Sequence, residues 1–139
     1  MRIKLIKMRS ERGQSLTELA ISFVVLVLIL AVGVDLGRMY FSYIAIREAA
    51  QEGALYGSIN PEPTAITQRV RTSSSAPVNL SDTSNVSVSV SGGGCAGGTL
   101  VVTVTDQFRL TMPLIGALIS AQTFPISVSA TTTILAPGC

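Results

Sequence analysis

The hydrophobic pattern divides this 139-residue chain into three parts. Sixteen uncharged residues, LAISFVVLVLILAVGV from Leu19 to Val34, form an apolar run that predicts a membrane-spanning segment. Apolar residues then recur at spacings of three and four up to Gly57, which predicts that the same helix continues beyond the membrane. After Pro61 the apolar residues alternate with polar ones, which is typical of β-strands with one buried face.

The outer half of the predicted helix covers residues 35–57 and ends before Asn60-Pro61. Its predicted apolar stripe consists of Leu36, Met39, Tyr43, Ile46, Ala50, Ala54 and Gly57. On the opposite side lie Arg38, Glu48 and Glu52. A helix from Ser15 to Gly57 would be about 65 Å long, whereas the bilayer core takes about 30 Å. The outer half must therefore pack against its own domain or a neighbouring subunit.

Residues 58–139 are predicted to form a small extracytoplasmic domain. The predicted elements are a short helix at Thr64–Thr72 and strands around Val86–Val90, Leu100–Thr105 and Phe124–Thr131, with Ile134 in phase with the last strand. The glycine-rich loop 91–98 joins the first two strands, and the apolar segment Leu114–Ile119 is either a surface or a short helix against the sheet. A three-stranded sheet needs a partner for its apolar face. We therefore expect an α+β fold in which the outer half of the long helix packs on a small antiparallel sheet.

Charge fixes the expected orientation of this helix in the membrane. Charged residues make up only 13% of the chain, against about 25% in a typical soluble domain. Residues 1–13 carry a net charge of +4, whereas the remainder carries −2. Basic residues stay on the cytoplasmic side, so we expect a single-pass protein of the cytoplasmic membrane with its C-terminal domain outside. The rest of the chain has no basic patch, which argues against nucleic-acid binding.

The residue types that most enzymes use are missing. The chain has no histidine, which excludes a Ser–His–Asp triad and histidine-based zinc sites. Gly92-Gly93-Gly94 lacks the lysine and the following helix of a phosphate-binding loop. We therefore expect no enzymatic activity, no small-molecule substrate, and no catalytic, cofactor-binding or metal site.

Two cysteines, Cys95 and Cys139, lie in the part predicted to be outside the membrane. Disulfides persist in that compartment, and a bridge would fasten a domain with a small core. In the chain-entropy model this loop would contribute roughly 4 kcal/mol. The alternative is two unrelated free thiols.

The N-terminal region allows three interpretations. The first two are an uncleaved signal anchor and a secretory signal cut after Ala31-Val32-Gly33. The third is a different kind of processing site, and it depends on residues Arg12–Glu18. Glu18 stands at the entrance to the apolar run, where a carboxylate is unfavourable unless it faces the headgroups or has a partner. Gly13, followed by Thr17-Glu18 and an unbroken apolar helix, resembles a type IV prepilin cleavage site.

That resemblance implies a leader of residues 1–13, removed by a prepilin peptidase that cuts between Gly13 and Gln14. The membrane-spanning segment is then 14–34. Glu18 becomes the fifth residue of the mature chain and compensates the N-terminal amine of a neighbouring subunit. An amine and a carboxylate, each costly to bury alone, are tolerated as a pair.

A second resemblance extends along the helix. The elements Asp35-x-Gly37-Arg38 and Glu48-Ala49-Ala50-x-Glu52-Gly53-Ala54-x-Tyr56-Gly57 resemble the TadE family, pseudopilins of the tight-adherence (Tad, or Flp) pilus system. Weaker similarity continues through Phe108-Arg109-Leu110-Thr111 and Pro-Leu-Ile-Gly at 113–116. Each element also has a plain structural explanation, such as an i,i+3 ion pair for Asp35 and Arg38, or close packing for small residues at i,i+4.

The TadE resemblance implies a structural component of pilus assembly. Its implied partners are prepilin peptidase, other Tad pilins or pseudopilins, pilus assembly proteins and the lipid bilayer. Asp35, Arg38, Ala50 and Gly53 are the implied helix-packing residues. The alternative is a signal-anchored or secreted extracytoplasmic binding module with no filament role.

Overall fold

The computed structural model of the chain describes residues 10–112, 116 and 120–136. Its elements in chain order are α1 (Ser10–Ile59), α2 (Pro63–Thr72), β1 (Val86–Gly92), β2 (Thr99–Arg109) and β3 (Thr123–Thr133). This α+β architecture, a long helix packed on a three-stranded antiparallel sheet, is the one that the sequence predicts. The predicted leader is described only from Ser10 onwards, and Leu114–Ile119 lies outside the described residues except for Gly116.

Helix α1 is one unbroken helix of 50 residues, about 75 Å long. It begins at Ser10, five residues before the predicted start, because no proline interrupts the polar turn between the basic leader and the apolar run. Its first half buries little: between Leu16 and Val34 the large apolar side chains are exposed. Within the described part of the chain, α1 is the helix whose length and composition suit a membrane crossing. It fits a single-pass membrane anchor.

The sheet has the strand order β1-β2-β3, with both pairs antiparallel. Strand β2 is central, and its even-numbered residues from Leu100 to Phe108 are buried against the helices while the odd-numbered ones face outward. The alternation predicted for the strands around Val86–Val90 and Phe124–Thr131 is confirmed in phase, and β2, predicted only as a strand, alternates as well. The strand continues past its predicted end at Thr105, since pairs such as Phe108↔Phe124 extend the ladder beyond the inward-facing Asp106, which interrupts the apolar pattern.

The helix face that meets the sheet differs from the predicted stripe. Ile46, Ala50 and Ala54 are buried as expected, but Tyr43 is 41% exposed and Leu36 is 55% exposed. The buried face instead consists mainly of small residues: Ser42, Ala45, Ala49, Ala50, Gly53, Ala54, Gly57 and Ser58. The predicted stripe is therefore confirmed at Ile46, Ala50, Ala54 and Gly57 and wrong at Leu36 and Tyr43, because the close approach of the helix to the sheet favours small side chains.

Two glycines show how closely the elements approach. A Cβ at Gly53 would overlap the side chain of Val70 in α2, and one at Gly57 would overlap that of Leu100 in β2. Side chains at either position would force α1 away from α2 and the sheet. The close contact buries Ile66, Val70 and Leu100 in one core beneath the helix.

Candidate functional site

The predicted processing site lies in the first turns of α1. Gly13, Gln14 and Glu18 are all exposed, and an added Cβ at Gly13 would meet nothing within 4 Å. The Gln14 side-chain amide donates to Glu18 Oε1 at 3.2 Å, and the Thr17 hydroxyl donates to the Gln14 carbonyl at 2.8 Å. These contacts are local, so the packing of the outer domain leaves this end of the helix accessible.

Asp35 directly follows the predicted membrane segment, and the structure buries it to 4% exposure. Its carboxylate accepts the backbone N–H of Met112 at 3.1 Å and that of Thr111 at 3.2 Å. Burial by itself would raise the pKa of Asp35. The hydrogen bonds from Met112, Thr111 and Arg38 outweigh that effect, and the pKa lies below its ordinary value. The carboxylate is therefore ionised at neutral pH and holds the segment after β2 against the helix.

Arg38 completes this contact from the same face of the helix. Its guanidinium donates to Asp35 Oδ1 at 3.3 Å and to the Thr111 hydroxyl. It also lies 5.4 Å from the centre of the Phe108 ring, within the range of a cation–π contact. We call Asp35, Arg38, Thr111 and Met112 the clamp. The clamp joins the outer end of the predicted membrane segment to the end of strand β2.

The local i,i+3 pair that the sequence allows for Asp35 and Arg38 is present, but it is only part of the arrangement. Thr111 stands in a stretch that resembles the TadE family, yet nothing in the sequence indicates that its N–H points at Asp35. The role of Met112 had no sequence signal at all, because a backbone donor is independent of residue type.

The helix-packing positions lie farther out along α1. Ala50 is fully buried, and Gly53 packs against Val70 and Val102. Glu52 forms an ion pair with Arg69 of α2, with 2.7 Å between the guanidinium and the carboxylate. Glu48 is exposed, beside a groove of about 210 Å³ between α1 and the 73–77 segment.

The cysteines are only partly described. Cys95 is disulfide-bonded in the structure, within the glycine-rich loop between β1 and β2. Cys139, the other cysteine of the sequence, lies outside the described residues. The pairing of Cys95 with Cys139 therefore stays a prediction.

The comparison with known families bears on α1. Residues 13–55 match the model of the family described as TadE-like protein. The match covers the predicted processing site, the membrane segment, Asp35 and Arg38, and the helix positions Ala50 and Gly53. It confirms over this segment the resemblance seen in the sequence. No curated protein and no solved structure matches the chain.

Proposed function

We propose that this chain is a minor pilin or pseudopilin of the TadE type, a structural component in the assembly of a Tad pilus. The match of residues 13–55 to the TadE-like family carries the proposal. The geometry supports it: the inner half of α1 exposes an apolar surface, and the outer half is fastened to a small domain by the clamp and a small-residue interface. Such a molecule works by packing against other subunits.

Processing by prepilin peptidase after Gly13 is part of this proposal. The scissile bond lies within the first turns of α1, so it must unwind locally to enter a peptidase. Two features make unwinding easy. Gly13 and Gln14 are exposed, with open space around Gly13, and a glycine in a helix is about 1 kcal/mol less favourable than alanine.

Glu18 then becomes the fifth residue of the mature chain. In the described chain its side chain meets only Gln14, a neutral group on the same helix. A carboxylate moved into a bundle of apolar helices requires a positive partner. The new N-terminal amine of a neighbouring subunit has the right charge and arises at the same depth in the membrane. Glu18 would thereby set the register between subunits.

The clamp has a mechanical role in this proposal. It lies where α1 leaves the predicted membrane segment and fixes the outer domain with respect to the helix axis. A subunit that is drawn out of the membrane by its helix would therefore carry the domain as a rigid attachment. We place residues 1–13 in the cytoplasm and the sheet outside the cytoplasmic membrane, following the charge of the leader.

The mature N-terminus decides between this function and the alternatives. The chain is expressed with a prepilin peptidase, and the membrane fraction is subjected to N-terminal sequencing. A chain that begins at Gln14 agrees with the proposal. A retained Met1 indicates a signal-anchored binding module, and an N-terminus near Val34 in the soluble fraction indicates a secreted one.

A further inference from the structure

The outward face of α1, opposite the one that packs on the sheet, carries two charges that have no partner in the described part of the chain. Arg47 and Glu48 are exposed, and neither belongs to the ion pairs that the described residues form. We propose that this face binds a second copy of the chain, with Arg47 of each copy paired to Glu48 of the other. The inference rests on the part of the proposed function in which α1 anchors the chain in a membrane, and it deepens that function by naming a partner.

Helical geometry separates the two charges around the axis of α1 but not along it. Successive residues of an α-helix are about 100° apart around the axis and about 1.5 Å apart along it. Arg47 and Glu48 therefore point to two sides of the outward face at nearly the same height. Side chains at adjacent positions do not face each other within one helix, so each charge is available to a neighbouring molecule.

The strip of α1 between these two charges is uncharged. Tyr40, Ile44, Gln51 and Leu55 recur at spacings of four, seven and four, so they share one face of the helix. Tyr40 is 61% exposed and Leu55 is 68% exposed. The strip continues outward from the exposed apolar side chains of the predicted membrane segment. A contiguous exposed apolar surface flanked by charges is typical of a binding face.

The Glu48 side of the strip has room for an arginine side chain. A groove of about 210 Å³ lies there between α1 and the 73–77 segment, with Phe41 and Pro77 in its apolar lining. Glu52, the other carboxylate of the groove, already has its partner in α2. The alkyl part of an arginine packs on apolar surface while its guanidinium binds a carboxylate. The groove thus matches the side chain that the opposite side of the strip presents.

The membrane anchor determines which molecule can supply that arginine. Two copies in one bilayer lie at the same depth, because the same apolar run anchors both. Arg47 of one copy is then within about 1.5 Å of the height of Glu48 in the other. Lipid does not reach this part of the helix: Arg47 stands 13 positions after Val34. That is about 20 Å along α1, whereas the headgroup layer is about 5–8 Å thick.

A parallel two-fold arrangement satisfies both charges at once. With the axis along α1, Arg47 of each copy meets Glu48 of the other on the two sides of the strip, as an isologous interface requires. The uncharged strip lies between the two helices, and both membrane segments point the same way. The sheets lie on the far side of each helix, where they leave the contact open.

Carbodiimide crosslinking of the full chain in membranes tests this inference, because the reagent joins a carboxylate to an amine only in direct contact. The lysines of the sequence are Lys4 and Lys7 in the leader, so the wild type gives the background. Arg47→Lys keeps the charge and adds a reactive amine, and it should give a crosslinked dimer on a denaturing gel. Arg47→Lys/Glu48→Gln should lose that dimer. Arg47→Lys/Glu62→Gln, which removes an exposed carboxylate outside α1, should keep it.

Exchange of the two charges separates direct pairing from a general effect on the fold. Arg47→Glu/Glu48→Lys restores an opposite pair and should crosslink again, whereas Arg47→Lys/Glu48→Lys presents like charges and should not. Only background dimer with Arg47→Lys, or a dimer that persists without Glu48, would overturn the proposal. The mature N-terminus is determined in the same membranes. A chain that begins at Gln14 but forms no dimer refutes the pairing and leaves the pilin function standing.

Discussion

The Asp35 carboxylate accepts the backbone N–H of Met112 at 3.1 Å, although 77 positions separate the two residues in the chain. One partner stands at the outer end of the predicted membrane segment, and the other follows the central strand of the sheet. This hydrogen bond, with its neighbours from Thr111 and Arg38, determines where the outer domain sits along α1.

Replacing Asp35 by alanine should loosen the outer domain. The backbone N–H groups of Thr111 and Met112 would lose their acceptor in a partly buried contact, with an expected loss of about 1 kcal/mol. Limited proteolysis of the full chain in detergent should then show faster cutting near residue 111. Glu48→Ala, an exposed carboxylate on the same helix, serves as the control. Equal cutting rates in all three proteins would show that the clamp does not hold the domain.

Gly13→Trp should block processing, because the peptidase must fit the residue at the scissile bond into a confined site. Gly13→Ala adds only a methyl group where the structure has open space, so it should still be cut. Both variants are compared with the wild type by blotting in cells that contain an active prepilin peptidase. Normal maturation of the tryptophan variant would contradict processing at Gly13.

Glu18→Ala should leave membrane insertion intact, since it removes a charge from the entrance of the apolar run. We expect weaker crosslinking to other pilins and reduced piliation. Glu18→Gln keeps the size and polarity of the side chain while removing its charge, so it should behave like alanine if pairing with an amine matters. Wild-type crosslinking and piliation in both variants would indicate that Glu18 lies among the lipid headgroups and does not pair with a neighbouring subunit.

Ala50→Glu should unfold the outer domain. Ala50 is fully buried on the inner face of α1, and an unpaired charge there should cost several kcal/mol. Glu52→Lys breaks only the partly exposed pair with Arg69, for which a loss below about 1 kcal/mol is expected. Protease resistance of the full chain compares the two. If Ala50→Glu is as resistant as the wild type, the helix-on-sheet packing is wrong.

The pH dependence of stability offers a test of Asp106. Its pKa in the folded state is raised, so the folded protein binds this proton more tightly than the unfolded chain. The carboxylate therefore destabilises the fold above its folded pKa, and the penalty disappears as the pH falls below 3.8. The charged groups around it are Asp82, Arg38 and Arg109.

Asp106→Asn should accordingly raise the melting temperature at pH 7 and make little difference at pH 3. Asp82 has the opposite dependence, since its lowered pKa stabilises the fold above pH 3.8 and that contribution is lost towards pH 2. Asp82→Asn should therefore lower the melting temperature at pH 7. A melting temperature of Asp106→Asn below that of the wild type at pH 7 would show that its carboxylate has a stabilising partner.

The sequence by itself determined the features that depend on neighbouring positions. The uncharged run from Leu19 to Val34, the helix through Gly57 and the phase of the first and third strands all follow from the local pattern of apolar residues. The TadE resemblance rests on the same helical segment, where the motif residues lie within one continuous element.

The tertiary structure alone decided the contacts that the fold creates between distant segments. Tyr43, predicted for the buried face, is partly exposed, and small residues line that face. The short distance between helix and sheet determines which side chains fit there. The tertiary structure also brought Thr111 and Met112 to Asp35, and placed Asp106 within the electrostatic influence of Asp82. Backbone donors and isolated carboxylates have no periodicity, so their roles emerge only when the register and the packing are known.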